Sequence, residues 1–418
     1  MDAVRQSAVL AVIAIFLSAR AISAETSISG SAGFEYEYND NIRITPENRI
    51  SLSGWLANAG VSGRWATPRF SAESTLRLYS EHYDSADSKD LSPNFAEPDA
   101  DDFDSDNQDF SASIAYDWER QRLSLYGQYR RDSTLNTQFL DTGLGGLAQI
   151  QGATREERIV LRPEWSWQLT ERQRLQSTLQ WQEVDYESEL FQDYDYSLMN
   201  VAWSYLLNER LYLQMVPNYA LYRNRALNSV ESTTYGLQAG VIWAFSEKLR
   251  FNVLVGATEV STKIDGGYYT FDIENFRIVF VEFEDQDSNG FTGNMSVDFQ
   301  EEQYSLNFTM FSRYSPSADG GLREDSQASF VWNWEPVERL RLDVDTRYGL
   351  SKRASSAIAQ EREYGEVGVR IGYQFAENWW VSGRYRYRTQ QYKAASAGAG
   401  DSNLVSAGVS YRLPREIL

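Results

Sequence analysis

Cysteine is missing from all 418 residues, which removes disulfides, thiolate metal sites and cysteine nucleophiles at once. Histidine occurs only once, at His82. Long apolar runs are also missing. A membrane-spanning helix needs about 20 apolar residues, and beyond residue 24 the chain offers nothing longer than pieces such as Val241–Phe245. Positive charge is scarce, with 39 Lys and Arg against 59 Asp and Glu, a net charge of −20. Such a balance argues against nucleic acid, which requires a basic surface. What the chain has in quantity is aromatic: 12 Trp, 26 Tyr and 20 Phe, too many for a disordered chain. The length suits two or three ordinary domains or one large all-β unit.

Residues 1–24 differ from everything after them. Arg5 precedes the apolar stretch Ala8–Ala19, and small residues follow at Ala19, Ala21, Ser23 and Ala24. A positive start, a short apolar core and a small-residue exit describe a secretory signal peptide. Twelve apolar residues are too few to span a bilayer. Cleavage after Ala24 is expected, with Ala21 as the competing site. No Cys follows the apolar core, so a lipoprotein anchor is not expected. The remaining body, residues 25–418, reads as one domain.

In that body the dominant pattern has period two. Phe110, Ala112, Ile114, Tyr116 and Trp118 share one face, while Asp109, Ser111, Ser113 and Asp117 share the other. Leu249, Phe251, Val253, Val255 and Ala257 repeat the pattern, as do Val367, Val369, Ile371, Tyr373 and Phe375. Strand side chains alternate, so each segment has one apolar and one small or polar face. Eight short polar connections are expected, centred on Thr67-Pro68, Glu119-Arg120, Thr170–Arg172, Asn208-Glu209, Ser246-Glu247, Glu301-Glu302, Pro336-Val337 and Glu377-Asn378. Longer links lie between them, including 84–108, 133–156, 264–287 and 390–402.

Segments of ten to fourteen residues exceed the five or six usual in soluble sheets. Short turns alternating with long loops are the habit of outer-membrane barrels. Ten of the 12 Trp lie within about five residues of a short turn, as in an interfacial aromatic girdle. The expected fold is therefore all-β, a transmembrane antiparallel outer-membrane β-barrel of about 18 strands, with 16 and 20 as neighbouring counts; a soluble β-sandwich is the competing reading. Both termini would face the periplasm. Val405, Ala407, Val409, Tyr411 and Leu413 would close the last strand against the first. The chain ends in Leu418 rather than in the terminal aromatic common to such barrels.

If apolar faces meet lipid, the opposite faces line the interior. Ser382, Arg384, Arg386 and Arg388 then point inward, and Arg341, Arg347, Arg370 and Arg412 join the same wall. Arg77, Arg130 and Arg162 come from elsewhere around the ring. Inward acids by the same rule include Glu73, Asp117, Glu164, Asp298, Asp343 and Asp345. An arginine-lined path favours anions, by charge and by bidentate contact with carboxylate or phosphate. The competing reading pairs these arginines with the acids to brace the wall. Inward Tyr126, Tyr212 and Tyr222 could stack on sugar rings.

Two loops stand out. Segment 84–109 holds ten acids and one Lys, either a solvated loop or a collector of divalent cations. Segment 264–287, with Tyr268–Phe271 and Phe276–Phe283, either folds inward as a constriction or extends a hairpin above the membrane. An enzyme is not expected. No HExxH, GxSxG or phosphate-cradling glycine loop is present, and His82, flanked by Glu81 and Asp84, has no evident nucleophile. No cofactor or metal is expected.

Tyr38-Asn-Asp-Asn-Ile42 and Arg131-Asp-Ser-Thr-Leu-Asn-Thr-Gln-Phe-Leu-Asp-Thr-Gly143 resemble stretches of the β-barrel porin family found with exopolysaccharide gene clusters. That family includes the outer-membrane proteins associated with the PEP-CTERM/exosortase system. The resemblance implies an outer-membrane conduit for exopolysaccharide export. Its partners would be membrane lipid and lipopolysaccharide, a polysaccharide chain and periplasmic export components. It brings no catalytic residues, and Asp40 and Asp132 are expected only to shape loops. The alternatives are a general or anion-preferring porin for small solutes, and a surface-binding barrel that uses its long loops. Fold alone does not choose among them.

Overall fold

Alternating side chains and tight polar turns build a wall that closes on itself. The structure is a computed structural model that describes residues 25–89, 99–134, 154–189, 191–225, 229–272, 277–282, 285–317, 321–353, 361–393 and 398–417. Residues 1–24, the expected signal peptide, lie outside the described residues.

In chain order the strands are β1 (Glu25–Asn39), β2 (Arg49–Ala66), β3 (Phe70–Lys89), β4 (Ser105–Asp117), β5 (Gln121–Ser133), β6 (Arg155–Gln168), β7 (Gln173–Tyr186), β8 (Tyr194–Asn208), β9 (Leu211–Asn224) and β10 (Val230–Ala244). There follow β11 (Leu249–Ile264), β12 (Gly267–Asp272), β13 (Arg277–Glu282), β14 (Gln286–Gln300), β15 (Tyr304–Ser317), β16 (Gly321–Val337), β17 (Leu340–Arg353), β18 (Glu361–Ala376), β19 (Trp379–Tyr392) and β20 (Gly400–Ile417). Eighteen of them form one antiparallel sheet in which each pairs with its sequence neighbours, β11 passing directly to β14. β20 then pairs with β1, Val405 opposite Tyr38 and Leu413 opposite Gly30, and the barrel is closed. Closure pairs the first strand with the last, so neither is left as an edge.

The outer surface is apolar all the way round. Phe34, Val61, Leu237, Phe291, Met310 and Val409 all point away from the lumen and stay exposed, Phe291 to 61%. No water-soluble protein leaves so continuous an apolar band uncovered, so the barrel spans a membrane with its strands. At the short-turn end nine of the ten expected tryptophans face outward in a girdle of paired rings, among them Tyr116–Trp118 at 4.6 Å, Trp165–Trp167 at 5.7 Å and Trp379–Tyr411 at 5.0 Å. Trp380 departs from that expectation. Strand alternation turns it inward, where the Arg412 guanidinium lies 4.9 Å from its ring.

Six of the eight short turns fall where the sequence places them, held by turn hydroxyls. Thr170 Oγ1 accepts from the Gln173 N–H at 3.1 Å, and Ser246 Oγ from the Leu249 N–H at 3.1 Å. In the second of these, Lys248 donates to Glu301 at 2.8 Å, which holds its ammonium above the ordinary lysine range. Two are displaced. β16 runs on to Val337, so its turn is Glu338-Arg339 rather than Pro336-Val337. Pro336 has no N–H to give a ladder and sits in a bulge between Trp334 and Val337 instead of ending the strand. The turn expected at Asn208-Glu209 lies one residue later, at Glu209-Arg210, with Asn208 Oδ1 accepting from the Arg210 N–H at 3.0 Å.

The long loops are more structured than their polarity suggests. Within the acidic segment a 3-10 turn, Ala100–Phe103, buries Phe103 against Ile50, Leu52 and Tyr83. Its acids make local hydrogen bonds: Asp99 Oδ1 accepts from the Ala100 N–H, and Asp104 takes the Tyr83 N–H at 2.8 Å and contacts His82 Nδ1 at 2.6 Å. Within the 264–287 segment β12 and β13 pair with each other in a two-stranded ribbon that, among the described residues, pairs with no barrel strand.

The first family-like stretch ties the long-loop end together; of the second, only residues 131–134 lie among the described residues. Asp40 accepts from the Asn403 backbone N–H at 2.6 Å and side-chain amide at 2.8 Å. Asn41, fully buried, donates to the carbonyls of Thr45 and Asp401. The bonds to Asn403 and Asp401 cross the β1–β20 closure. Asp132, 1% exposed, accepts from Arg130 Nε at 2.9 Å. An Asp40→Ala variant is expected to lose about 1–3 kcal/mol of barrel stability by stranding the Asn403 donors. A fall in the temperature at which the folded band disappears on unheated-versus-heated gels reads this directly.

Candidate lumen path

Strand alternation decides which side chains meet inside. On β19 the exposed side chains are Val381, Tyr385 and Tyr387, so Arg384, Arg386 and Arg388 point into the lumen. On β18 the same rule turns Arg362, Glu366 and Arg370 inward, and on β17 Arg341, Asp343, Asp345 and Arg347. The register then stacks them. Asp343 faces Arg370, which faces Arg384, and Arg347 faces Glu366, which faces Arg388. At about 3.4 Å per residue, Arg384 to Arg388 climbs about 14 Å along the wall. Arg341 and Arg412 start the ladder near the short-turn end.

The ladder is half braced. Arg341 Nε donates to Asp343 at 2.9 Å, Arg388 Nε donates to Glu366 at 3.0 Å, and Arg386 lies 3.9 Å from the same carboxylate. Among the described residues no carboxylate stands within 4.0 Å of Arg347, Arg370, Arg384 or Arg412. Nearby Glu35 and Glu37 of β1 are engaged by neutral donors, Ser406 and the Tyr83 hydroxyl respectively. The wall is therefore rich in cations whose counter-charge is incomplete. The inward residues elsewhere behave differently. Arg130 pairs with Asp132, Arg162 lies over Tyr126 at 4.9 Å, and Glu73 contacts Arg64 at 3.2 Å. Glu164 accepts from Gln176, Asp298 from Asn307, and Asp117 lies 3.7 Å from Arg122.

Above the ladder the lumen narrows. The loop after β1 buries Ile44 against Tyr364, and Gln390 Nε2 donates to the Ile44 carbonyl at 3.1 Å. On the other side a cavity of about 570 Å³ opens among β6–β11 and β14–β18. Arg158, Arg313, Arg347 and Arg362 line it, with Asp325 as the only acid, beside amides and hydroxyls such as Gln182, Asn218 and Thr234. Sequence reading missed Arg158, Arg313, Arg362, Asp325 and Glu366 as lumen residues, although their parity on β6, β15, β16 and β18 marks them. Tyr222 is turned inward as expected, but it is fully buried against Tyr194 and leaves no face for a sugar ring. His82 packs at a tilt against Trp55, ring centroids 5.3 Å apart, away from the lumen.

No known family model matches the chain, and no curated protein matches it in sequence. Among solved structures, the chain is similar to Acinetobacter baumannii OccAB4 (TM-score 0.44, 13% identity, covering 94% of this chain and 98% of that one). It is similar to Pseudomonas aeruginosa OpdK, solved with vanillate (TM-score 0.43, 10% identity, 93% and 98% covered), and to the copper transporter OprC (TM-score 0.45, 7% identity, 94% and 81% covered). Likeness at this depth says nothing about cargo. It is a likeness of fold, and the fold is a closed antiparallel β-barrel of 18 strands.

Proposed function

We propose that this chain is an outer-membrane channel that passes small anionic solutes along the arginine ladder of β17–β20. Residues 1–24 serve as its signal peptide, and outer-membrane lipid and lipopolysaccharide surround the finished barrel. The observation that carries this reading is the incomplete counter-charge along the ladder: Arg347, Arg370, Arg384 and Arg412 have no carboxylate within 4.0 Å among the described residues. Cations held on a wall without a carboxylate in contact attract anions and repel other cations. The exopolysaccharide conduit implied by the family resemblance asks for more room. Packing of Leu322 against Tyr222 and Val260 narrows the lumen at the height a polymer would have to pass. A small solute fits this interior better than a polymer.

Purified protein in a planar bilayer, under a salt gradient, tests the proposal. The expected reversal potential has the sign of an anion-preferring pore. A cation-preferring pore, or a barrel that never conducts, would overturn it.

A further inference from the structure

One seam of the wall is unzipped. β14 pairs with β11 over its length, Gln286 to Phe299, but with β15 only from Gly293 to Gln300. β15 meanwhile continues to Ser317, fully paired with β16. Residues 286–292 of β14 and 313–317 of β15 therefore have no ladder between them. Side chains bridge the gap instead. Ser312 Oγ donates to the Phe291 carbonyl at 3.3 Å, Tyr314 hydrogen-bonds Ser288, and the Tyr314 hydroxyl lies against Gly290, where a Cβ has no room.

The upper part of β15 and β16 has parted from β14 and leans across the lumen, while β16 keeps its ladder with β17 up to Arg323. β16 comes within 8 Å, Cα to Cα, of β9 and β10, which lie five and four places away around the barrel. At about 4.8 Å per strand a round wall would hold such strands nearly 20 Å apart. At the crossing, Leu322 is 2% exposed and joins Tyr222, Tyr194 and Val260 in a buried cluster, with Tyr314 packed against it. An apolar cluster inside the lumen of a membrane barrel is the reverse of the polar filling that the fold favours.

We propose that the β15–β16 hairpin is an inward-folded gate. Two packings of the same strands compete. In the structure seen here the ends of β15 and β16 bury Tyr314 and Leu322 on the far wall and narrow the pore. In the other, β15 continues its existing register on β14, which places Gly290 opposite Ser315 and Ser288 opposite Ser317, and draws those strand ends back toward the wall. The exchange trades apolar burial for ladder hydrogen bonds, favourable terms of similar size. A bistable element of this kind is what a gated pore needs. The inference deepens the channel reading above and rests on it.

The chain has no cysteine, so an introduced pair is unambiguous. In the zipped register, Cα atoms of opposed residues are about 4.5–5.5 Å apart, within the reach of a disulfide. An S288C/S317C variant under mild oxidant should cross-link, as read by gel mobility. Its conductance in bilayers should rise about twofold or more over the reduced state and return on reduction. Leu322→Ala, which weakens the closed packing without any cross-link, should raise the open fraction of an otherwise native channel. Failure to cross-link, or a cross-linked barrel with unchanged conductance, would overturn the gate. If the native protein and every variant conduct nothing while the cross-link still forms, the hairpin moves as described and the channel reading is what fails.

Discussion

Replacing Arg384, Arg386 and Arg388 together with serine is expected to abolish the anion preference of the pore. Each guanidinium acts on a passing ion at contact range, where a unit charge is worth about 1 kcal/mol in water and several times that beside a low-dielectric wall. Losing three, even against partial screening at physiological salt, should lower the anion-to-cation permeability ratio by about tenfold, since about 1.4 kcal/mol is a factor of ten. Arg384 should dominate, because Arg388 and Arg386 already share Glu366. A single Arg384→Ser variant is expected to give close to half the logarithmic effect of the triple. The check is the reversal potential under a salt gradient. An unchanged potential in a barrel of normal conductance would remove the ladder from the mechanism.

Glu366→Gln should act mainly on stability. Its side chain is 4% exposed and lies within 4.0 Å of both Arg386 and Arg388, with Arg347 opposite it across the β17–β18 pair. Removing one member of a buried pair leaves an uncompensated charge, at a cost of about 3–5 kcal/mol. Tryptophan fluorescence through a urea titration in micelles would read the loss. A Glu366→Gln, Arg388→Gln double variant should recover part of it, because the stranded cation is gone too. If the single variant unfolds like the native protein, water already screens the pair and Glu366 is not a brace. Its ion selectivity, measured alongside, should move toward anions.

Most of the barrel is legible in the linear chain. Because strand side chains alternate strictly, an apolar residue at every second position fixes which face meets lipid. On β19 and β20 that rule assigns each side chain to the correct side. Turn positions follow from short polar pairs flanked by apolar runs; two are displaced, one by a single residue at Asn208 and one where Pro336 makes a bulge rather than a stop. Trp380 shows the limit of position without parity. It lies beside a turn, as the girdle tryptophans do, yet its place in the alternation sends it inward under Arg412.

Loops were harder to read, for a different reason. The composition of 84–109 is that of a solvated segment, but a single Phe103 finds an apolar seat on Ile50, Leu52 and Tyr83 and folds part of it down. Asp40 likewise serves a partner 363 positions away, Asn403, which no local pattern could name.

The sequence by itself determined the class of the fold, a wall of about 18 strands, the closing pair and the alternation that turns the arginines inward, because all of these follow from period-two alternation and turn chemistry. Only the tertiary structure decided which arginines are braced and which are open. That depends on register between strands, which sets Glu366 beside Arg388 and leaves Arg384 facing Arg370. It also decided the shape of the passage. Nothing along the chain marks β15 as leaving β14 above Gly293, because the departure is set by where Leu322 can bury itself on a wall five strands away.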